Sequence, residues 1–345
     1  MDPARTVLLF FVVLSVLVFA HELGHFVTAK MAGIKVQEFG FGYPPRVFGI
    51  RRGETIYSFN LLPLGGFVKM LGENASPGDP GAFASQPRAV RALVLVAGSA
   101  MNLALAPLLY SAAFMVGIDE PVRVLIENVQ PSLPAASAGL QPGDVVLTVD
   151  GREIRTTLEL REAVRARGGQ QIPLTVQRGG QRLSLPITPL AVSNENQPAI
   201  GVALKQDVEI VRYPIWQAVP MGFHFTGEVT RSFLDGLRQM AQRKVKAELS
   251  GPVGIAQQTG EAAEAGLTYL LQFTGFLSLN LAIFNMLPFP GLDGARLIFV
   301  LIEGARRGRR VNPQLEGAIH LVGMMLLITL MLYVSLNDVR RLVPG

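Results

Sequence analysis

Four long apolar runs dominate the hydrophobic pattern of the chain. Each is close to the roughly 20 apolar residues that a transmembrane helix needs. They cover about residues 6–29, 92–117, 267–287 and 317–336. The first run leads into a polar end without the small-residue cleavage site of a secretory signal, so we expect it to be retained. The pattern predicts an α-helical membrane protein with four transmembrane helices.

A β-type pattern follows the first of these runs. The stretches RVFGI (46–50) and TIYSFNL (55–61) flank the turn sequence RRGE, which predicts a hairpin, and LPLGGFVKM (62–70) follows as a glycine-loosened extended stretch. Irregular backbone at membrane depth is tolerated only where protein or water covers it. We therefore expect a small membrane-associated β-sheet here, in a first part of the chain that covers residues 1–117.

Between the second and third runs the pattern becomes that of a soluble α+β domain. VRVLIENV and DVVLTVDG are typical of strands, TLELREAVRA of an amphipathic helix, and QIPLTVQRGGQRLSLPI of a hairpin. We place this domain at 118–192, an amphipathic linker region at 193–265, and the last two spans at 266–345. A helix in the linker region either lies in the membrane interface or packs on the middle domain.

Composition favours a membrane protein, and the distribution of charge predicts its orientation. Apolar residues make up 49% and charged residues 17% of the chain. Basic residues concentrate between the first two runs and between the last two, which by the positive-inside rule puts both loops in the cytoplasm and the middle domain outside. Arg340 and Arg341 run mildly against this orientation. Because the net charge of +5 is placed in these loops, we expect no nucleic-acid partner. The chain has no Cys, which excludes disulfides and thiolate metal ligands.

Half of the four histidines fall in HELGH, at the end of the first apolar run. His21 and His25 are four residues apart, so on a helix they lie on one face and can bind one tetrahedral Zn²⁺. Glu22 can then act as general base towards a water whose pKa the metal lowers. The alternative is that both histidines are structural, with their hydrogen bonds made within the protein, beside a surface glutamate. Ionisable residues at membrane depth are functional by default, which favours the metal site. The run before His21 spans roughly 22 Å as a helix, so water must reach the site by a polar path, which we expect from the cytoplasmic side.

Asp293 is the residue that we expect to complete such a site. Four residues that break or loosen a helix surround it: Pro288, Pro290 and Gly291 precede it, and Gly294 follows it. The first and third spans run in the same direction, so Asp293 and the histidine pair approach the cytoplasmic half of the bilayer together. The alternative is that Asp293 caps a helix that begins at Gly294. His224 and His320 fit this depth and direction less well.

Several motifs in this order resemble the bacterial site-2 proteases, in the group typified by the regulator of sigma E protease. They are HELGH, PLGGFVKM, AGSAMN (97–102), SGPVGIA (250–256) and NMLPFPGLDG. The resemblance covers nearly the whole chain. It implies an intramembrane zinc metalloprotease of the bacterial plasma (inner) membrane, with His21, His25 and Asp293 as Zn²⁺ ligands and Glu22 as catalytic base.

The resemblance also implies how substrate is held. Residues of the GGFVKM stretch would form an edge strand that pairs with an unwound substrate: Gly65, Gly66, Phe67, Val68 and Lys69. Strand addition suits this role because a transmembrane helix must unwind before its peptide bonds can be reached. Asn285 would help to hold the substrate backbone, and its alternative role is local capping.

The middle domain contains PSLPAASAGLQPGDVVLTVDGREI (131–154), which resembles the PDZ domains of bacterial proteases. PDZ domains bind extended peptides, so a peptide or an upstream protease is one expected contact. A size filter, which excludes substrates whose exterior portion has not been trimmed, is the interpretation that we favour.

We therefore expect an enzyme that cleaves single-span membrane proteins, such as a pre-trimmed anti-sigma factor or remnant signal peptides. Two other classes remain as alternatives, a non-catalytic membrane PDZ scaffold and a metal transporter. A base beside the metal argues against a scaffold, and the fourth span offers a transporter only His320.

Overall fold

The computed structural model describes residues 2–73, 78–191, 199–242 and 250–342. The chain divides into two compact units. The first consists of Met1–Val116 and Tyr213–Gly345, and the second, inserted between these two parts, is Gly117–Arg212.

Helices make up most of the first unit. In chain order they are α1 (Pro3–Met31), α2 (Arg88–Val116), α5 (Ile215–Ala241), α6 (Pro252–Ala265), α7 (Leu267–Asn285), α8 (Asp293–Ala305) and α9 (Pro313–Leu342). Four helices in the described part of the chain are long and apolar enough to cross a membrane, namely Pro3–Met31, Arg88–Val116, Leu267–Asn285 and Pro313–Arg340. The prediction of four apolar helices is thus confirmed.

α2 is the central helix of this unit and packs against α1, α5, α7 and α8. The approach of α1 is close because Gly24 has no side chain, and a Cβ there would overlap the backbone carbonyl of Ala97 on α2. α5 carries the helix predicted within the linker region. It packs along α2, where Gly222 lies against Ser111 and the carbonyl of Pro107.

The predicted hairpin consists of β1 (Val36–Arg52) and β2 (Thr55–Met70), which are antiparallel. The strands pair outward from Arg52 and Thr55 on either side of Gly53, whose φ is +57°. Residues 38–41 have Cα partners on both sides, in residues 56–59 and in residues 66–69. Residues 38–41 therefore lie in the middle of three paired segments, and residues 66–69 form one outer segment.

Aromatic contacts hold this sheet against α1. Phe26 of α1 stacks on Phe39 of β1 with ring centroids 4.6 Å apart, and Phe19 contacts both Phe39 and Phe41. Such aromatic pairs combine a large apolar area with a defined geometry. The sheet thereby lies beside the part of α1 that contains HELGH.

The inserted unit is an antiparallel sheet with two short helices. Its elements are β3 (Ile118–Val129), α3 (Pro134–Ser137), β4 (Val145–Val149), β5 (Arg152–Glu153), α4 (Thr157–Arg165), β6 (Ile172–Arg178), β7 (Gln181–Ile187) and β8 (Val202–Val211). The strand order is β7-β6-β4-β3-β8, and β5 pairs with β4. A core of its own, which includes Val124, Leu160 and Leu174, holds the unit together.

The inserted unit extends further than the boundary that we drew at residue 192. β8 pairs along β3 from Val202 opposite Val129 to Val211 opposite Ile118. Lys205, Asp207 and Glu209 give β8 the polar composition of a linker, whereas its pairing makes it an edge strand of the sheet. The compact unit therefore ends at Arg212.

Candidate metal centre

His21 and His25 lie on one face of α1 and are both buried. Their four-residue spacing brings the two rings together, with centroids 4.8 Å apart and the planes inclined by 79°. The two Nε2 atoms are 3.1 Å apart. The face of α1 that carries them is therefore the one packed into the protein.

Asp293 reaches the same point from the other end of the chain. α7 ends at Asn285 and α8 begins at Asp293, and the connection between them bends at Gly291, whose φ is +104°. A Cβ at Gly294 would overlap the carbonyl oxygens of Met286 and Leu287, directly after α7, so only glycine permits this close turn. Asp293 is thus the first residue of α8, which agrees with its presentation from an interrupted helix.

The three side chains converge on one point. Asp293 Oδ2 lies 3.0 Å from His21 Nε2 and 3.2 Å from His25 Nε2. In a tetrahedral site with metal–ligand bonds of roughly 2.0–2.1 Å, neighbouring ligand atoms are roughly 3.3–3.4 Å apart. The separations between the three atoms are within a few tenths of an ångström of that ligand-to-ligand distance, so two neutral imidazoles and a carboxylate fit Zn²⁺. Among the described residues, this is the group of His, Asp and Glu side chains that could hold a metal ion.

Glu22 follows His21 on α1 and interacts electrostatically with both histidines and with Asp293. Its side chain faces the β-sheet. A Cβ at Gly66 would stand 3.6 Å from Glu22 Cγ, and a Cβ at Gly65 would meet Val18, one turn earlier on α1. The two glycines therefore let the backbone of β2 run directly beside the glutamate.

Helix α2 forms the wall behind the histidines, a feature that our reading of the sequence did not assign. His25 Nδ1 is 2.7 Å from the carbonyl oxygen of Val94. Gly98 faces both rings, and a Cβ there would overlap His25 Nε2 and stand 2.7 Å from His21 Nε2. The signal for this wall is the four-residue spacing of Val94 and Gly98, which is hard to see within a uniformly apolar helix.

The remaining predicted residues take separate places. Phe67, Val68 and Lys69 continue β2 beyond the two glycines, opposite residues 38–40 of β1. Asn285 is the last residue of α7, at the start of the connection to Asp293.

The two other histidines lie elsewhere. His224 is exposed beside Glu228 on α5. His320 lies on α9, where its Nδ1 accepts a hydrogen bond from the N–H of Gly291.

A polar cavity of about 480 Å³ lies in the same unit. Its charged lining includes Arg91, which forms a buried ion pair with Glu303 at 2.6 Å, and Arg296, which pairs with Glu73. Arg296 stands one helical turn beyond Asp293 on α8. The cavity therefore begins close to the three converging side chains.

Comparison with known proteins places these features in a family. The family model described as peptidase family M50 matches residues 9–330. A putative zinc metalloprotease of Clostridium perfringens is 36% identical over 329 residues, which cover 94% of this chain and 96% of that protein. The regulator of sigma-W protease RasP of Bacillus subtilis is 30% identical, with 98% of this chain and 99% of that protein covered.

Another relative and one solved structure add to these matches. The zinc metalloprotease RasP of Geobacillus kaustophilus is 31% identical over 99% of both chains. Among solved structures, the PDZ domain of an SdrC-like protein from Listeria monocytogenes matches at 22% identity and a TM-score of 0.22, and covers 25% of this chain and 90% of that one. A TM-score of this size does not establish a shared fold.

Proposed function

The chain belongs to peptidase family M50 and is an intramembrane zinc metalloprotease of the site-2 protease type, and from this premise we propose that it hydrolyses peptide bonds in or beside the membrane segment of single-span proteins. With the peptidase family shown, neither a non-catalytic scaffold nor a metal transporter is retained as an alternative.

The convergence of three ligand atoms carries the proposal for the catalytic centre. His21, His25 and Asp293 would hold the Zn²⁺ through His21 Nε2, His25 Nε2 and a carboxylate oxygen, which are 3.0–3.2 Å apart. When bound, the ion supplies a Lewis acid that polarises the scissile carbonyl and lowers the pKa of water towards roughly 7. The burial of both imidazoles among α1, α2 and α8 supports this role, because it fixes their orientation before substrate arrives.

Glu22 is the proposed general base. Its carboxylate takes a proton from the attacking water and later returns it to the nitrogen of the departing amine. The short distance between Glu22 Cγ and the backbone at Gly66 supports this role, since a base must lie beside the peptide bond that it serves.

The outer segment of β2 is the proposed binding site for an unwound substrate. Residues 66–69 each have one Cα partner in the sheet, on β1. Among the described residues this leaves the outer edge able to accept a further strand. Gly65 and Gly66 permit close approach of that strand, and Phe67, Val68 and Lys69 extend it. Asn285 is proposed to hold the substrate backbone from the end of α7.

The polar cavity beside α8 is the proposed route for water. Hydrolysis consumes one water for each peptide bond, and a bilayer core does not supply it. The cavity is lined by charged groups of both signs, including Arg91, Glu303 and Glu316. Such a lining keeps water next to the catalytic centre, and the basic loops at this end support a cytoplasmic opening.

We propose that the inserted unit is an extracytoplasmic PDZ domain of a protein embedded in the plasma membrane. It acts as a filter that admits substrates whose exterior part has been removed, or as a contact for a peptide or an upstream protease. A relative named as a regulator of sigma-W protease supports an anti-sigma factor as one substrate. Remnant signal peptides have the same single-span form and are the second proposed class.

Reconstitution in vesicles tests the proposal. The full chain is combined with a single-span protein in two forms, one with its exterior domain and one trimmed to a short exterior stub. We expect cleavage of the trimmed form alone, loss of cleavage on chelation, and its return when Zn²⁺ is added. Equal cleavage of both forms would contradict the filter, and cleavage that survives complete removal of zinc would contradict the catalytic centre.

A further inference from the structure

Asn102 is a fully buried residue of α2 whose side chain faces the histidine pair. Its Nδ2 is 3.5 Å from His21 Nδ1, and its Oδ1 is buried without a hydrogen-bond partner. Buried polar atoms are almost always paired. This amide is therefore an exception, located directly behind one of the proposed metal ligands.

The chemistry of a metal-bound imidazole specifies what such a neighbour must offer. When a histidine binds a metal through Nε2, its other nitrogen, Nδ1, carries a proton and donates a hydrogen bond. His25 has an acceptor in this position, because its Nδ1 faces the carbonyl oxygen of Val94 at 2.7 Å. His21 needs an equivalent acceptor.

Asn102 can supply it without any movement of the backbone. The two ends of a carboxamide have nearly the same shape, so a half-turn about the Cβ–Cγ bond exchanges Oδ1 and Nδ2. After this turn Oδ1 stands where Nδ2 lies 3.5 Å from His21 Nδ1. The unpaired oxygen then gains a donor, and the Nδ1–H of His21 gains an acceptor.

The position of Asn102 on α2 repeats the arrangement at His25. Val94, Gly98 and Asn102 are four residues apart, so they lie along one face of the helix. Val94 offers an acceptor to one ring, Gly98 leaves space for both rings, and Asn102 offers an acceptor to the other. One rigid helix thus presents both acceptors in register with the four-residue spacing of His21 and His25.

Asn102 is also fixed from its other side. Its backbone carbonyl accepts a hydrogen bond of 2.8 Å from Ser278 Oγ on α7. α7 leads into the connection that carries Asp293. Asn102 therefore links α2 both to α1, which carries His21 and His25, and to α7, which precedes the connection to Asp293.

We propose that Asn102 is a positioning residue of the metal centre: its Oδ1 accepts the Nδ1–H of His21 and thereby directs the Nε2 lone pair towards His25 and Asp293. The inference rests on the proposed ligand set. Asn102 itself takes no part in the reaction and acts through His21 alone.

Zinc retention by purified full-length variants tests this role. Asn102→Asp keeps an acceptor opposite His21, whereas Asn102→Leu has a similar size and offers none. The hydrogen-bond partner of a metal-binding histidine typically contributes about 10- to 100-fold in metal affinity. In chelator competition we expect Asn102→Leu to lose affinity for Zn²⁺ by about that factor and Asn102→Asp to stay within a few-fold of the wild type.

Asn280→Leu is the matched control. Asn280 lies on α7, and its Oδ1 is likewise buried and unpaired. This variant should retain Zn²⁺ as the wild type does. The absorption spectrum of the Co²⁺-loaded protein gives a second measurement, which should change in Asn102→Leu and stay the same in Asn280→Leu because only the former alters a ligand's orientation.

The order of zinc affinities among the variants tests the proposal. If Asn102 served packing alone, leucine would be tolerated there and a buried carboxylate would not. A lower zinc affinity in Asn102→Asp than in Asn102→Leu would therefore overturn the proposal. Wild-type affinity in Asn102→Leu overturns it as well. If Asn102→Leu does not fold, Asn102→Ala replaces it in the same ranking. His21→Ala distinguishes failure of the Asn102 proposal from failure of the proposed ligand set. Unchanged zinc affinity in that variant would reject the ligand set itself.

Discussion

The imidazole of His320 accepts a hydrogen bond from the backbone N–H of Gly291, with 3.0 Å between Nδ1 and the amide nitrogen. His320 lies on α9, whereas Gly291 precedes Asp293 by two residues in the connection between α7 and α8. One turn further along α9, a Cβ at Gly323 would overlap Pro290. α9 therefore holds the segment from which Asp293 is presented, a role for the fourth apolar helix that its sequence pattern did not suggest.

Loss of this hydrogen bond should loosen the metal centre. We expect His320→Leu to lower zinc affinity and proteolysis by roughly fivefold, since a hydrogen bond contributes about 1 kcal/mol and its loss frees the connection that carries Asp293. His320→Asn, whose side-chain oxygen can accept the same N–H, should recover part of the loss. His224→Leu, at an exposed position on α5, is the control. Chelator competition and substrate cleavage measure both effects, and equal values for the two leucine variants would refute the link.

Replacement of Glu22 by glutamine should separate binding from chemistry. Gln has the shape of Glu but is not a base, and a positioned general base typically contributes about 10²- to 10⁴-fold to the rate. We expect Glu22→Gln to lose turnover by at least that order while its zinc content stays at one ion per chain. Single-turnover cleavage in vesicles and metal analysis of the same sample provide the measurement. Turnover close to the wild type would show that another group accepts the proton.

A methyl group at Gly98 should disturb the histidine pair directly. The Cβ of Gly98→Ala would overlap His25 Nε2, so either the rings turn away or α1 and α2 separate. We expect zinc affinity to fall by more than tenfold, since the lost geometry affects two ligands at once.

The control for that variant is Gly236→Ala on α5, where an added Cβ meets no atom within 4 Å. Both substitutions replace a helical glycine, so their effect on helix propensity is the same and is favourable by up to about 1 kcal/mol. Thermal unfolding of the two variants without zinc separates a packing defect from loss of metal binding. A Gly98→Ala variant that binds zinc normally would contradict the close contact.

In the inserted unit, acid should weaken the contact between Asp144 and Arg178. The two side chains form paired bonds of 2.7 Å, and Asp144 also accepts the N–H of Gln141 at 2.9 Å. Burial raises the pKa of Asp144, but these hydrogen bonds to its charged form outweigh it and hold the pKa below its usual value. A lowered pKa stabilises the fold above the unfolded pKa of about 3.9, and the stabilisation is lost as the pH falls through the lower, folded value.

Hydrogen exchange of the β4 and β6 amides in the full chain measures this dependence. Wild-type protection should decrease as the pH falls below about 4. Asp144→Asn should show weaker protection at pH 7 and a flatter response to acid, because its amide does not titrate. Glu153→Gln, which changes an exposed acid in the same unit, is the control. The interpretation fails if Asp144→Asn and the wild type respond to acid alike.

Much of the candidate site could be read from local patterns. A four-residue spacing on a helix brings His21 and His25 together whatever the rest of the fold does, and prolines around Asp293 interrupt a helix by simple sterics. The apolar runs likewise predict their helices because hydrophobic length alone decides whether a helix can span. These features depend on neighbours in sequence, and they agree with the structure.

Features that depend on distant residues could not be predicted in this way. β8 looks like a linker because its exposed face is charged, and only its pairing with β3, more than 70 residues earlier, makes it a strand. Residues 38–41 pair with two different parts of β2, residues 56–59 and residues 66–69, because the hairpin folds back on itself. No periodicity in the sequence encodes that fold. The acceptor at Val94 is a backbone carbonyl, which has no signature in the sequence at all.

The 272 positions that separate His21 from Asp293 have a consequence for biosynthesis. A nascent chain that has emerged through the inserted unit already holds both imidazoles, yet it lacks the carboxylate until the final part of the polypeptide has been translated. With His21, His25 and Asp293 as the proposed ligands, the catalytic centre is complete only when synthesis is nearly finished.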